Sequence, residues 1–264
     1  MEPSTTIVID TRRPFPYRPS PHIKEYWTGL HRQYRLRLHP GRLGHDMLRG
    51  EYDSLVAINK YTYTSKYVRR PMQWGTLSQD RDLHFLLTHH HESGSQILST
   101  ERFVFTLAQL HLRSAYDSET FGFHITTYHG QIAQINRLRS KWEEYFAVNF
   151  QHILEIEKDI QGPHTPEMHA LSNAVLQKVI PRLLRPMETG GRSIRPTLLH
   201  GDLTPANVST SLCTRLPIVS SPCSFYGHNE YDLQAFVTGG FGSEALEMYH
   251  RLVPISEPRA EGIE

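Results

Sequence analysis

Two residues five positions apart, Asp202 and Asn207, are of the types needed to move a phosphoryl group. A carboxylate can orient an attacking hydroxyl and accept its proton, while the neutral amide oxygen of Asn can ligate a magnesium ion that bridges nucleotide phosphates. Both stand in His200-Gly201-Asp202-Leu203-Thr204-Pro205-Ala206-Asn207, behind the apolar run Thr197-Leu198-Leu199 and ahead of Val208. That run reads as a short buried strand delivering a polar loop, with apolar flanks that exclude water. Asp and Asn also favour tight turns, so the pair alone is open to a purely structural account.

The wider pattern, H-x-D-L-x-x-x-N, is similar to the catalytic loop of kinase-like phosphotransferases, with Gly201 where protein kinases have Arg. A second stretch narrows the resemblance: Pro217-Ile218-Val219, then Pro222, Ser224-Phe225-Tyr226-Gly227-His228 and Glu230-Tyr231-Asp232-Leu233. With Phe121-Gly122-Phe123-His124, Ile132-Ala133-Gln134-Ile135-Asn136, Trp142 and Gly50-Glu51, the chain resembles the fructosamine/ketosamine-3-kinases, or protein-ribulosamine 3-kinases, over about residues 37–255. The resemblance implies an α+β, two-lobed protein-kinase-like fold, with a small mixed β/α N-lobe and a mainly helical C-lobe. It further implies ATP- and Mg-dependent phosphorylation of ketoamine sugars on glycated protein lysines or small ketosamines, a deglycation repair in which the phosphorylated adduct falls away. Carried onto this chain, Asp202 and His200 are the catalytic residues, with Asp202 as the base, and Asn207 is a metal ligand. Arg37 and Glu51 are the pair on the nucleotide-phosphate side, and Asp232 braces the catalytic loop.

This chain departs from the family pattern in several places. The family's second magnesium-binding residue is an Asp directly before the Pro that is here Pro222, but this chain has Ser221, a neutral and weak ligand for a hard cation. Fourteen residues before Glu51, where the family has a phosphate-pairing Lys, stands Arg37, with a wider planar head. Thr204 replaces a Trp, and no G-x-G-x-x-G can be found, since Gly29 is the only glycine before position 41. The family pattern also continues beyond residue 264 into a closing helical segment, so apolar surface is expected to be left uncovered. Charge neutralisation is most of this catalysis, so the alternative is a degraded pseudokinase or binding module of the same family.

The elements around these residues follow from periodicity. Tyr34 to Leu38 alternates as a strand, and Asp46 to Lys60 has helical spacing with Leu48, Tyr52, Leu55 and Val56 on one face and Glu51 at its edge. Leu83 to Thr88 reads as a buried strand running to His89-His90-His91 at a hinge. Consecutive residues of an extended chain point to alternate faces, so the three histidines do not converge on one metal ion. Ser99 or Thr100 caps a helix to about Arg113, built on Phe103, Leu107 and Leu110. Trp142, Phe146, Phe150, Ile153 and Ile160 mark a long helix whose apolar side is expected in the core. Thr165-Pro166 starts another, carrying Leu171, Val175, Val179 and Ile180 to near Pro186. A last helix over about Tyr231–Leu252 is interrupted at Gly239-Gly240 and Gly242.

Residues 1–30, rich in Pro and Arg, read as a poorly ordered leader, 31–91 as the small nucleotide-side lobe, and 92–264 as the helical catalytic lobe. The 264 residues have an ordinary globular composition, 38% hydrophobic and 21% charged. A net charge of +1 makes no case for a nucleic-acid or membrane partner. Two cysteines, Cys213 and Cys223, make no disulfide framework, and Thr6 to Ile9 is too short for a signal peptide, so a cytoplasmic protein with reduced thiols is expected. A monomer is the separate expectation for its assembly, which no residue pattern decides.

Overall fold

The structure, a computed structural model, describes residues 22–28, 32–62, 67–94, 99–238 and 241–258. The leader read over 1–30 lies outside these apart from 22–28, which form β1 (His22–Thr28), and Gly239-Gly240 lies outside them as well. β1 pairs with β2 (Arg32–Pro40), which leads directly into α1 (Gly41–Tyr61). β3 (Pro71–Thr76) and β4 (Leu83–His89) complete an antiparallel sheet of order β1-β2-β4-β3. The period-two alternation of β2 has a direct result: Leu36 and Leu38 are buried with Leu87 in a small apolar cluster. Arg35 and Arg37 fall on the other face and line a cleft with Glu51 and Leu55 of α1.

α1 buries Leu48, Leu55, Ile58 and Tyr61, but Val56, expected on that face, is 46% exposed. The buried stripe includes Gly50 and Ser54, small residues that let other chain come close. A Cβ on Gly50 would stand 2.9 Å from the Thr126 carbonyl oxygen.

The remainder is mostly helical. After β5 (Ser93–Gly94), Ser99 caps α2 (Thr100–Ser114) by accepting from the Arg102 N–H, and Phe103, Leu107 and Leu110 are buried as their spacing predicts. A loop then reaches a two-stranded hairpin, β6 (Tyr128–His129) with β7 (Ile132–Ala133), which no periodicity announces. In α3 (Trp142–Gln161) Trp142 is buried, whereas Ile153 and Ile160 are 51% and 74% exposed, so the expected core stripe covers only the first part of the helix. Its aromatic residues Phe146 and Phe150 line a cavity of about 570 Å³ with Trp142, Phe225 and Tyr231.

Thr165 caps α4 (Pro166–Ala174), which continues through a π-helical turn (Val175–Val179), α5 (Ile180–Leu184) and a 3-10 turn (Arg185–Glu188). Leu171 and Val179 of this run are exposed, and Ile180 is buried. β8 (Thr197–Leu198) pairs with β11 (Tyr226–Gly227), while β9 (Val208–Ser211) lies between β5 and β10 (Pro217–Val219). The expected last helix is split into a 3-10 turn (Asn229–Leu233), α6 (Gln234–Thr238) and α7 (Gly242–Leu252). One large apolar cluster joins α1, α2, β8 and α7 through Leu55, Phe103, Leu198 and Tyr249.

Candidate functional site

β8 delivers the His200–Asn207 loop as its apolar lead predicts, and Asp232 holds the start of that loop from behind. The buried Asp232 carboxylate accepts the His200 N–H at 2.7 Å and the Gly201 N–H at 3.0 Å. His111 Nε2 lies 3.3 Å from the same carboxylate, and His111 Nδ1 lies 2.7 Å from the Tyr249 hydroxyl. Burial by itself would raise the Asp232 pKa, but the His111 contact and the backbone N–H groups outweigh it and hold the group below the ordinary carboxylate range. Gly201 has φ +85°, and a Cβ there would sit 2.3 Å from the Cys223 carbonyl oxygen. Any side chain, including the Arg of protein kinases, is excluded at this position.

His200 is buried, which pushes its pKa down and keeps the ring neutral. Its Nδ1 accepts the Asp202 N–H at 3.3 Å, so the proton sits on Nε2, which donates to the Ser220 carbonyl at 3.1 Å. Both ring nitrogens are thereby committed to backbone.

Asp202 is presented at the front of the loop. Asn207 Nδ2 donates to the Asp202 carbonyl oxygen at 2.8 Å and to Oδ2 at 2.9 Å, while His129 Nε2 stands 3.1 Å from Oδ1. Arg37 forms an ion pair with Glu51, and its second terminal nitrogen donates to the Ser221 hydroxyl at 3.3 Å. Arg37, Glu51, Asp202 and Ser221 line one cavity of about 320 Å³, which Tyr128 and Gln131 of the hairpin help to enclose. The structure thus brings Arg37, Glu51 and Asp202 into one space, attaches Asn207 to it through Asp202, and sets His200 and Asp232 behind the loop. Sequence reasoning missed His129, His111 and Ser54. The last accepts the Ser224 N–H at 2.9 Å across 170 residues of chain, a contact no local signal reveals.

The model of the fructosamine kinase family matches residues 20–261. The chain belongs to the fructosamine kinase family. It is 36% identical over 138 residues to a ketosamine-3-kinase of Mus musculus, covering 52% of this chain and 41% of that protein. It is 26% identical over 214 residues to a chloroplastic protein-ribulosamine 3-kinase of Oryza sativa subsp. indica, covering 81% and 59%. The chain therefore spans less than two thirds of the length of either relative. Among solved structures it is similar to a fructosamine-3-kinase from Haemophilus somnus, described there as putative, with TM-score 0.70, 20% identity, and coverage of 89% of this chain and 77% of that one. An aminoglycoside phosphotransferase also matches, with TM-score 0.55, 14% identity, and coverage of 88% and 79%. The fold is the two-lobed protein-kinase-like fold, α+β, with a small β/α lobe and a mainly helical one.

Fructosamine kinase chemistry implies a nucleotide and magnesium, and the residues present fit these groups unequally. A guanidinium on the cavity wall suits phosphate oxygens. Asn207 commits its amide nitrogen to Asp202, which leaves its oxygen as a donor beside a carboxylate, and that pair fits one hard cation. A second ion at Ser221 does not fit, since the hydroxyl is neutral and a guanidinium already bonds it. Among the described residues no group of three or more His, Cys, Asp or Glu side chains forms a metal site, and no helix is long and apolar enough to cross a membrane.

Proposed function

We propose that this fructosamine-kinase-family chain transfers the terminal phosphoryl group of ATP to a hydroxyl of a ketoamine sugar, on glycated lysines or on small ketosamines. One observation carries the reading: the Asp202 carboxylate faces a cavity that also holds the Arg37–Glu51 ion pair, on a loop pinned by the buried Asp232. Asp202 orients the substrate hydroxyl and takes its proton as the oxygen bonds to phosphorus and the bond to ADP breaks. Arg37, held by Glu51, neutralises phosphate charge. Asn207 keeps Asp202 in place and offers its amide oxygen to a magnesium ion, which when bound adds charge neutralisation. His200 and Asp232 are positioning residues, because their polar atoms bond loop backbone and neighbouring side chains. Residues 31–91 form the nucleotide-side lobe of this reading, and 92–264 the catalytic lobe.

The test is phosphoryl transfer from ATP to a ribulosamine-modified lysine peptide by this chain and by Asp202→Asn. Transfer by the unmodified chain that falls by about a hundredfold or more in the variant supports the assignment. No transfer by the unmodified chain overturns it.

A further inference from the structure

The cavity of about 570 Å³ beside α3 shares no lining residue with the one at Asp202. Its walls are mostly aromatic, with Phe146 and Phe150 on one side and Trp142, Phe225 and Tyr231 on the other. Tyr231 stands at 84° to Trp142 and 77° to Phe225, so ring planes meet there at near right angles. Burial pushes the Tyr231 pKa up to about 12, which keeps the hydroxyl neutral, and it bonds no other described residue. No Lys or Arg lines the cavity, and Glu230 is its one acidic side chain. One Glu230 oxygen accepts the Ser256 N–H at 2.8 Å and lies 3.9 Å from His228 Nε2, on a ring that burial keeps neutral. Among the described residues, then, no Lys or Arg offsets that carboxylate. At the margin Ile153 and Val237 are 51% and 72% exposed, apolar surface that further chain would cover.

Aromatic faces attract cations and also cover apolar chain, while the carboxylate selects for positive charge and against negative. A lysine side chain, an apolar stem ending in an ammonium, has both complements. We propose that this cavity holds the lysine side chain of a polypeptide partner, with the stem among the rings and the ammonium towards Glu230. The residues flanking that lysine cover Ile153 and Val237, which a free alkylamine would leave bare. The site is distinct from the cavity at Asp202, and its occupation does not depend on phosphoryl transfer.

The experiment is a titration of the whole chain, followed by ligand-observed NMR, with short Gly-Ser peptides that carry one central lysine, norleucine or glutamate. The lysine peptide is expected to bind about threefold or more tighter than the norleucine peptide, and the glutamate peptide not to bind. Glu230→Gln, which keeps an acceptor for the Ser256 N–H, is expected to abolish the preference for lysine over norleucine. Phe150→Ala is expected to weaken lysine binding about threefold, and Asp202→Asn to leave it unchanged. Melting temperatures measured alongside show that the variants fold. Norleucine bound as tightly as lysine by the unmodified chain, or no binding of the lysine peptide, overturns the proposal. So does a folded Glu230→Gln that still prefers lysine, or a loss of binding in Asp202→Asn, since either places the ammonium elsewhere. Butylammonium bound as tightly as the lysine peptide overturns the polypeptide as its source.

Discussion

His129 Nε2 stands 3.1 Å from Asp202 Oδ1, the carboxylate oxygen that the Asn207 amide does not bond. In the proposed reaction, the oxygen that would receive the substrate proton is therefore the one His129 occupies. The hydrogen bond to Asp202 is the main cause of a raised His129 pKa, with partial burial acting against it and the Asp202 charge adding to it. The imidazolium thus persists above the ordinary value of 6.5.

Phosphoryl transfer is accordingly expected to rise with pH as His129 loses its proton and releases Oδ1. His129→Gln should flatten that limb of the kcat profile and change the rate above it by no more than a few-fold. A rise that survives unchanged in His129→Gln would assign it to another group. The stability effect has the opposite trend. A raised folded pKa contributes fully below about 6.5 and is lost as pH climbs through the folded value. With the His129 side chain 59% exposed, that contribution is under about 1 kcal/mol.

Asp232 should dominate stability. Its buried carboxylate satisfies two backbone N–H groups and faces His111, so Asp232→Asn turns an acceptor into a donor against one of them and is expected to cost about 3 kcal/mol in urea unfolding. The Asp232 pKa is depressed, so its contribution is present above 3.8 and lost as pH falls through the still lower folded value. His200 and His228 are held neutral by burial, with folded pKa values depressed below 6.5, so they contribute fully above 6.5 and their contribution is lost on acidification. A denaturation midpoint that is level above pH 6.5 and declines below it is the expected profile for these groups. A midpoint unchanged between pH 7 and about 4.5 would contradict the neutral, buried assignment of the two histidines.

Gly201→Ala should destabilise the chain by about 3 kcal/mol, from a strained positive φ together with the 2.3 Å clash against the Cys223 carbonyl oxygen. Calorimetry reads this directly, and a shift in melting temperature of less than about 2 °C would mean that the loop relaxes at little cost.

What the sequence discloses and what it hides divides by locality. The strand around Arg37, the helix carrying Glu51 and the Ser99 cap follow from periodicity and capping chemistry over a few residues. The family resemblance, rather than any local signal, matched Arg37 with Glu51, and the two meet because a strand and the helix directly after it fold back on one another. Val56, Ile153 and Ile160 were misplaced because helical spacing tells which residues share a face, not how far along the helix a neighbour covers it. His129 and His111 carry no spacing signal at all. Each meets its carboxylate across more than seventy residues, in a short hairpin and a buried helix face that only tertiary packing defines.

Ser54 is the remaining tie, and it links the nucleotide side to the loop after Ser221. It is fully buried in α1, donates to the Gly50 carbonyl at 2.8 Å and accepts the Ser224 N–H at 2.9 Å. Glu51 lies one turn before it on the same helix, so the bond to Ser224 sets how α1 and the Arg37–Glu51 pair stand relative to Ser221. Ser54→Ala leaves the buried Ser224 N–H without an acceptor and is expected to cost about 2 kcal/mol. Because the helix that carries Glu51 then shifts against the loop, KM for ATP should rise several-fold while the rate at saturating ATP falls less. Ser54→Thr, which keeps the hydroxyl, is expected to retain most of the ATP affinity if its extra methyl is accommodated against Ser224. Equal losses of stability in Ser54→Ala and Ser54→Thr with no change in KM for either would show that the serine fills space rather than aligns the two sides of the cleft.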